Sequence, residues 1–171
     1  MSHDWQIRRI RAGEGLQLRA LRLQALADAP TAFGSTLARE EQFADELWHT
    51  RACNAAAGLA SVTVIAERAN RWVAMASGLL TGTEEQDRVV PVLVGMFVDT
   101  HVRRFGIGVG LVESIMHWAR AGGHDQLYLW AVSANAPALA LYRRCGFQVT
   151  GVTRPLSHTP DLTEQQMAAA L

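Results

Sequence analysis

The chain has few cysteines, no excess charge of either sign and no long apolar run. Its 171 residues include only two cysteines, Cys53 and Cys145, which lie far apart and form no C-x-x-C arrangement. Neither a disulfide framework nor a zinc site is therefore indicated. Sixteen basic residues balance sixteen acidic residues, so no strong field points to a nucleic acid or an anionic membrane as partner.

Membrane signals and several common catalytic motifs are also missing. No run approaches the ~18 apolar residues of a transmembrane helix, and the polar start of the chain, Met1 to Trp5, lacks the apolar core of a signal peptide. We therefore expect a cytoplasmic protein. The six histidines show no H-E-x-x-H spacing, so no metal is predicted, and there is no G-x-S-x-G nucleophile elbow. The length and the 49% hydrophobic content predict a single domain over residues 1–171.

The most informative feature is the loop R-R-F-G-I-G at residues 103–108. It follows an apolar, strand-like run, Val89 to Val98, and opens an amphipathic helix pattern. A strand that turns through glycines into a helix presents free backbone N–H groups and a positive helix dipole, which together bind phosphate. The spacing fits neither a dinucleotide fingerprint, because Leu111 replaces the third glycine, nor a G-K-[ST] phosphate loop. A simple turn and helix cap is the alternative interpretation.

A second motif lies between Gln126 and Phe147. Its first residues alternate as a strand buried on both faces would. Asn135 then caps a short helix, Pro137 is tolerated in its first turn, and Gly146 ends it as a left-handed cap. One face of that helix carries Ala138, Leu141, Tyr142 and Cys145.

The two motifs, R-x-x-G-x-G and N-x-x-A-x-x-x-Y-x-x-x-G-F, together resemble those of the Gcn5-related N-acetyltransferase (GNAT) superfamily. The resemblance implies acetyl-CoA as cofactor, with its pyrophosphate on the glycine loop and its pantetheine near Asn135. It also implies that Tyr142 is the general acid that protonates the departing thiolate, with the ordinary pKa of a tyrosine. The implied cofactor-binding residues are Met96, Phe97, Val98, Arg103, Arg104, Phe105, Gly106, Ile107, Gly108, Val109, Asn135, Ala138 and Tyr142.

The implied fold is an α/β (α+β) GNAT acyltransferase fold. It has a central mixed, mostly antiparallel sheet of six or seven strands, flanked by about four helices. The pattern along the chain agrees with this fold. Before the glycine loop it predicts a strand at Gln6–Ile10, helices at Glu14–Ala27 and Glu40–Cys53, a loop at Asn54–Ala60, and strands at Ser61–Glu67, Arg71–Leu80 and Val89–Val98. Near the end of the chain it predicts a loop at Pro155–Pro160 and a closing element at Glu164–Ala170, either strand or helix.

Gly95 interrupts an otherwise apolar strand, which marks either a bulge or a simple packing position. In the family that the chain resembles, the fourth and fifth strands splay apart and the pantetheine arm lies in the gap like an extra strand. A bulge at Gly95 would leave backbone groups of Met96 to Val98 available to it.

The sequence leaves the general base open. The Val89–Val98 strand carries no carboxylate, and a water relay to bulk solvent is an equal alternative. Five other residues are candidates for the base, but each is interpreted more simply as a solvated surface group. They are Asp99, Glu40, Glu41, His49 and His101. Two residues depart from the family pattern, since Thr100 stands where Pro is common and Arg104 where Gly is common. We therefore expect Arg104 to avoid a backbone conformation reserved for glycine.

The resemblance implies direct transfer of an acetyl group to a primary amine of a small molecule or peptide. Backbone N–H groups of the splayed strand would stabilise the oxyanion, and no covalent enzyme intermediate is needed. The alternative is a catalytically silent acyl-CoA-binding or sensing module, which would keep the glycine loop without needing Tyr142. A C-terminal edge strand would also allow two copies to pair as a homodimer.

Overall fold

Seven strands build one sheet in the computed structural model, which describes residues 5–83 and 88–171. The strands in chain order, β1 to β7, are Gln6–Arg9, Ser61–Arg68, Arg71–Thr83, Arg88–Val98, Gln126–Val132, Gln148–Leu156 and Thr159–Ala170. Five α-helices, α1 to α5, lie within the described ranges, at Gly15–Asp28, Leu37–Glu40, Asp45–Ala57, Ile107–Ala121 and Ala136–Arg144. A 3₁₀ turn, Thr100–Val102, follows β4.

The strand order is β1-β2-β3-β4-β5-β7-β6. Every neighbouring pair is antiparallel except β4 and β5, which are parallel. The parallel pair follows from the connection, since the chain leaves β4, passes through α4 and returns along β5 in the same direction. The mixed, mostly antiparallel sheet expected from the sequence is thereby confirmed.

Helices cover both faces of the sheet and create two buried clusters. One cluster contains α4 and α5. It buries the apolar face of the amphipathic helix predicted after the glycine loop, namely Ile107, Leu111, Ile115, Trp118 and Ala119. The second cluster contains α1 and α3, packed against Ile65 and Met75 of the central strands. A helix layer on each side leaves the middle of the sheet shielded from water, which is the usual arrangement for a parallel strand pair.

The second predicted helix differs from the expectation at both ends. A short helix ends at Glu40, and α3 begins only at Asp45 and continues through the predicted loop to Ala57. Acidic residues favour a helix start, as at Asp45, and alanine is the strongest helix former, which carries α3 through residues 55–57. Gly58, with φ +72°, then ends the helix.

The C-terminal region also differs from the expectation. The predicted loop at Pro155–Pro160 is a tight hairpin, because β6 extends to Leu156 and β7 already begins at Thr159. Proline is tolerated there since β6 is an edge strand. The closing element is a strand, but it inserts between β5 and β6. The C-terminal strand is therefore internal, and the expectation of a C-terminal edge strand is wrong.

The packing of β3 against α4 generates a test of the fold. A Cβ added to Gly78 would lie 2.5 Å from Cζ3 of Trp118, and the indole N–H of Trp118 is held by the Gly58 carbonyl at 2.8 Å. We expect Gly78→Ala to lower the free energy of unfolding by about 1–3 kcal/mol, because the fixed ring cannot yield without repacking. Urea unfolding at neutral pH measures this change.

Gly82→Ala is the matched control on the same strand, since its added Cβ meets nothing within 4 Å among the described residues. Equal stability of the two variants would contradict the packing described here.

Candidate functional site

The parallel strands β4 and β5 pair over a short stretch and then part. Their pairing is limited to Val92 with Tyr128 and Leu93 with Leu129, although β4 continues to Val98 and β5 to Val132. The remaining length of β4 therefore has a strand partner on the β3 side alone. The splayed gap expected from the resemblance is confirmed.

A bulge at Gly95 occurs at the point where the gap opens. Met75 pairs with Phe97 and Ser77 with Val94, so two β4 residues oppose one residue of β3. Gly95 has φ +63°, a left-handed conformation that favours glycine. The extra residue reverses the face of the sheet to which the following side chains point. Leu93 lies in the α4–α5 cluster, whereas Phe97 lies in the α1–α3 cluster. Of the two interpretations of Gly95, the bulge is confirmed.

The backbone beyond the bulge offers hydrogen-bonding groups to the gap. The N–H of Asp99 donates to the Val73 carbonyl of β3 at 2.9 Å, so by alternation Val98 and Met96 point their N–H and C=O groups away from β3. Phe97 directs its own backbone groups toward β3. Arg103 Nε donates to the Val98 carbonyl at 2.9 Å, which ties the loop arginine to the end of β4.

The glycine loop ends in an uncapped helix N-terminus. Gly106 has φ +83° and no side-chain cap is present. The first bond within α4 runs from the Gly110 N–H to the Gly106 carbonyl. The N–H groups of residues 107–109 consequently have no acceptor within the helix, and they coincide with the positive end of its dipole. This geometry suits a phosphate group.

The loop side chains Arg103, Arg104 and Phe105 are exposed. Phe105 lies 6.5 Å from Trp5, ring centroid to ring centroid. Arg104 has φ +70°, within the left-handed region that favours glycine, so the expectation that it avoids such a conformation is wrong. The family's preference for glycine at this position follows from the shape of the turn, and Arg104 adopts that shape at a steric cost.

The middle of α5 packs next to the start of α4. Leu141 would lie 3.0 Å from a Cβ added to Gly108, so the glycine allows the two helices to approach closely. Asn135 caps α5 as predicted, its Oδ1 accepting from the Ala138 N–H at 3.3 Å. The contact of Leu141 with Gly108 thus places α5 beside the end of the glycine loop.

Tyr142 is buried on α5, with a relative exposure of 6%. Its ring packs edge-on against Phe147 at 5.9 Å, and its hydroxyl makes no hydrogen bond to any described residue. Burial raises the pKa of Tyr142 above its ordinary value, so the phenol stays protonated at neutral pH. The expectation of an ordinary pKa is therefore wrong, whereas the expected position on the inner face of α5 is confirmed.

A cavity of about 490 Å³ lies on the other face of the sheet, under α1, α2 and α3. Leu93 borders this cavity and also belongs to the cluster that contains Tyr142, so β4 separates the two. Gly95 and Val94 also line the cavity. The β6–β7 hairpin reaches over to the segment after α1, where Ser157 Oγ donates to the Gly34 carbonyl at 3.0 Å.

Two ion pairs, each with a buried carboxylate, line the cavity. Arg22 on α1 donates two hydrogen bonds to Glu40, from Nη2 at 2.7 Å and Nε at 3.1 Å. Burial alone would raise the pKa of Glu40, but Arg22, Ser35 and Arg51 together hold it below its usual value. Arg154 Nε donates to Glu164 Oε2 at 2.8 Å, and its guanidinium stacks 3.9 Å from the Trp130 ring centroid.

Sequence reasoning missed most of these cavity residues. Arg22, Arg51, Arg154 and Glu164 come from four different elements, and no local motif connects them. Glu40 was a candidate base, but its interpretation as a solvated surface group is wrong because only 3% of it is exposed. Burial in a charged pair is visible only once the helices pack on the sheet.

The remaining candidate bases lie away from the cavity lining. Asp99 is buried, so its interpretation as a solvated surface group is also wrong. Its carboxylate accepts from the His101 N–H at 3.0 Å and from Gln24 Nε2 at 3.2 Å. These bonds, with Arg71, lower the pKa of Asp99 despite its burial, which makes it a weak base. Glu41, His49 and His101 are exposed, as expected.

The chain belongs to the Acetyltransferase (GNAT) family, whose sequence profile matches residues 23–147. Human N-acetyltransferase 8 is 37% identical over 59 residues, which are 34% of this chain and 26% of that protein. The match thus spans about a quarter of the human protein's length.

Two solved structures show the same fold over nearly the whole chain. Ribosomal-protein-alanine N-acetyltransferase from Brucella melitensis superposes with a TM-score of 0.78 at 24% identity, covering 97% of this chain and 99% of that one. The yncA protein from Salmonella typhimurium, solved with acetyl-CoA, gives a TM-score of 0.80 at 17% identity, covering 98% and 94%.

Residues 5–83 and 88–171 contain neither a metal-binding cluster of side chains nor a helix that could span a membrane. No group of three or more His, Cys, Asp or Glu side chains is placed to hold a metal ion. None of the helices in these ranges combines the length and apolar character needed to cross a membrane.

The uncapped start of α4 gives a prediction for Gly106. Gly106→Ala adds a Cβ in a left-handed conformation, at an expected cost of about 1–2 kcal/mol, and places it beside the free N–H groups. We expect acetyl-CoA binding to weaken by at least about ten-fold, which corresponds to 1.4 kcal/mol. Calorimetric titration with acetyl-CoA measures this loss.

Gly123→Ala controls for backbone strain, because Gly123 has φ +80° and open space around its added Cβ, but lies beyond the far end of α4. If both variants bind acetyl-CoA equally well, the loop does not hold the cofactor.

The hydrogen-bonded carboxylate of Asp99 gives a pH-dependent prediction. Because its pKa is lowered in the folded state, ionised Asp99 stabilises the fold above about pH 4, and this contribution is lost as pH falls through the folded value. Asp99→Asn should therefore be less stable than the wild type at pH 7, and the difference should shrink toward pH 3. Urea unfolding at both pH values measures it, with exposed Asp161→Asn as control; an equal difference at both pH values would refute the assignment.

Proposed function

We propose that this protein is an acetyl-CoA-dependent N-acetyltransferase that moves an acetyl group directly to a primary amine. The observation that carries the proposal is the unpaired edge of β4 beyond Gly95, which lies beside the uncapped start of α4. Family membership supports the reaction class, and the acetyl-CoA bound to the yncA structure supports the donor.

The residues present fit coenzyme A at this site. The N–H groups of residues 107–109 would hold the pyrophosphate, with Arg103 and Arg104 adding charge at its edge. The N–H groups of Met96 and Val98 and the carbonyl of Met96, which face away from β3, would pair with the amide groups of the pantetheine arm, as an added strand does. When bound, acetyl-CoA supplies the activated acetyl group.

Tyr142 would donate its hydroxyl proton to the leaving sulfur. Its hydroxyl has no competing hydrogen bond in the structure, and burial keeps it protonated. A pKa raised above that of a thiol makes complete proton transfer unfavourable by itself. The attacking amine also loses a proton, and this proton has to replace the one that Tyr142 gives. Tyr142 is then protonated again at the end of the reaction.

The acceptor would enter the cavity under α1–α3, opposite the cofactor side of β4. Glu164 is the carboxylate we propose for holding the amine, because its Oε1 has no hydrogen-bond partner among the described residues while Oε2 is paired with Arg154. Glu40 is unsuited, since Arg22 contacts both of its oxygens. A water relay through the open cavity remains the alternative route for the amine proton.

The experiment is a calorimetric titration with acetyl-CoA followed by a thiol-release assay over a panel of primary amines. Because the chain contains no lysine, its own side chains offer no primary amine that would create background turnover. Binding with amine-dependent thiol release supports the enzyme. Binding without turnover of any amine would favour the silent acyl-CoA-binding module, and no binding would overturn both.

The role of Tyr142 gives a specific prediction. Tyr142→Phe should lower kcat by about 10²–10⁴-fold, the usual contribution of a general acid, with unchanged affinity for acetyl-CoA. Steady-state kinetics and calorimetry measure the two quantities. The chain's other tyrosine, Tyr128, lies on β5 with an exposed side-chain contact to Gln126, so Tyr128→Phe is the matched control. Wild-type turnover by Tyr142→Phe would show that the acid is a different group.

A further inference from the structure

The charges around the acceptor cavity are unequal. Among the described residues that line it, three are cationic and two are anionic; they are Arg22, Arg51, Arg154, Glu40 and Glu164. Arg22 is neutralised by Glu40 and Arg154 by Glu164, each through hydrogen bonds of 2.7–3.1 Å. Arg51 is left as the cation without its own counter-charge.

Arg51 is held in place without using its hydrogen bonds. Its guanidinium carbon lies 5.0 Å from the Phe43 ring centroid and 4.9 Å from that of Trp48. Its closest approach to a carboxylate is 3.8 Å, to Glu40, and it forms no hydrogen bond to a described residue. Two aromatic faces thus fix a guanidinium whose five N–H donors are all available.

The surroundings of Arg51 also indicate an unbalanced positive charge. Partial burial and the nearby Arg22 and Arg39 guanidiniums lower the pKa of Arg51 against the attraction of Glu40. The side chain is 42% exposed, so it lies at the mouth of the cavity. The indole N–H of the adjacent Trp48 is buried and has no hydrogen-bond partner among the described residues.

We propose that the acceptor amine carries a carboxylate and that Arg51 binds it, so that the substrate class is an amino carboxylic acid. This inference rests on the proposed acetyltransferase function. A planar guanidinium with unused donors matches a carboxylate in two-point geometry. A single excess positive charge balances a monoanion, which is the net charge of an amino acid once its ammonium has lost the proton. A dianionic phosphate would overcompensate it.

The same charge balance assists the reaction. A net positive cavity disfavours the ammonium form of the bound substrate and so lowers the pKa of its amine. The anchored carboxylate keeps the molecule in the cavity in the deprotonated form. The bond that forms is N–C to the acetyl carbon, the bond that breaks is C–S, and the amine proton replaces the one that Tyr142 passes to sulfur.

The test compares matched probes in which a neutral carboxamide replaces the carboxylate. L-Phenylalanine and L-phenylalaninamide suit the apolar walls at Phe33, Met75 and Trp130, and L-leucine with L-leucinamide forms a second pair. Acetylation is measured by thiol release, and binding by calorimetry with and without saturating CoA. Since the amide's ammonium is the more acidic, amine reactivity alone would favour the amide.

We expect the amino acid to exceed its amide by at least about ten-fold in kcat/KM and in affinity, as loss of a charge-assisted hydrogen bond predicts. Arg51→Gln should reduce that ratio to below about three-fold, because it should raise KM for the amino acid far more than KM for the amide. Arg39→Gln is the matched control, because Arg39 is exposed and lies outside the cavity lining. If Arg51→Gln does not fold, Arg51→Lys keeps the charge but loses the planar fork and should give an intermediate ratio.

An equal preference for acid and amide in the wild type, or a preference that survives Arg51→Gln, would overturn the inference. If acetyl-CoA binds and amines are acetylated without regard to the carboxylate, the proposed function stands and this inference fails. If no amine is acetylated, the proposed function fails, and the binding measurements still decide whether Arg51 recognises a carboxylate.

Discussion

The parting of β4 from β5 is the constraint on which the rest of the site depends. Two pairs of residues hold the strands together. Beyond them the Gly95 bulge turns β4 so that the backbone groups of Met96 and the N–H of Val98 face a gap without a strand partner. Leaving these groups unpaired inside a sheet costs free energy unless water or a ligand satisfies them. An extended ligand with amide groups removes that cost, which is why the gap points to a pantetheine arm.

The elements around the gap divide the chemistry between the two faces of the sheet. The uncapped start of α4 and the buried Tyr142 lie on one face, and the charged cavity lies on the other. The glycines make this arrangement compact, since Gly108 lets α4 approach α5 and Gly95 lets the strand change its facing. In the proposed reaction, donor and acceptor would then meet across β4 without sharing a binding surface.

Local patterns in the sequence predicted the cofactor side of the site well. The glycine loop, the Asn135 cap, the apolar stripe of α4 and the bulge at Gly95 each depend on residues close in sequence. The acceptor side was not predictable in this way, because Arg22, Arg51 and Glu164 are brought together only by packing. The expectations that were wrong also depended on packing. The insertion of β7 between β5 and β6 made it an internal strand, and packing of the helices on the sheet buried Glu40 and raised the pKa of Tyr142.

Backbone hydrogen exchange with and without acetyl-CoA tests the central claim most directly. If the pantetheine arm pairs with β4 and the pyrophosphate with the start of α4, saturating acetyl-CoA slows exchange at the N–H groups of Met96, Val98 and residues 107–109. Exchange at the β3-facing N–H of Phe97, in the same segment, changes much less. Protection that is absent from both segments, or that appears only in the cavity under α1–α3, would contradict the account.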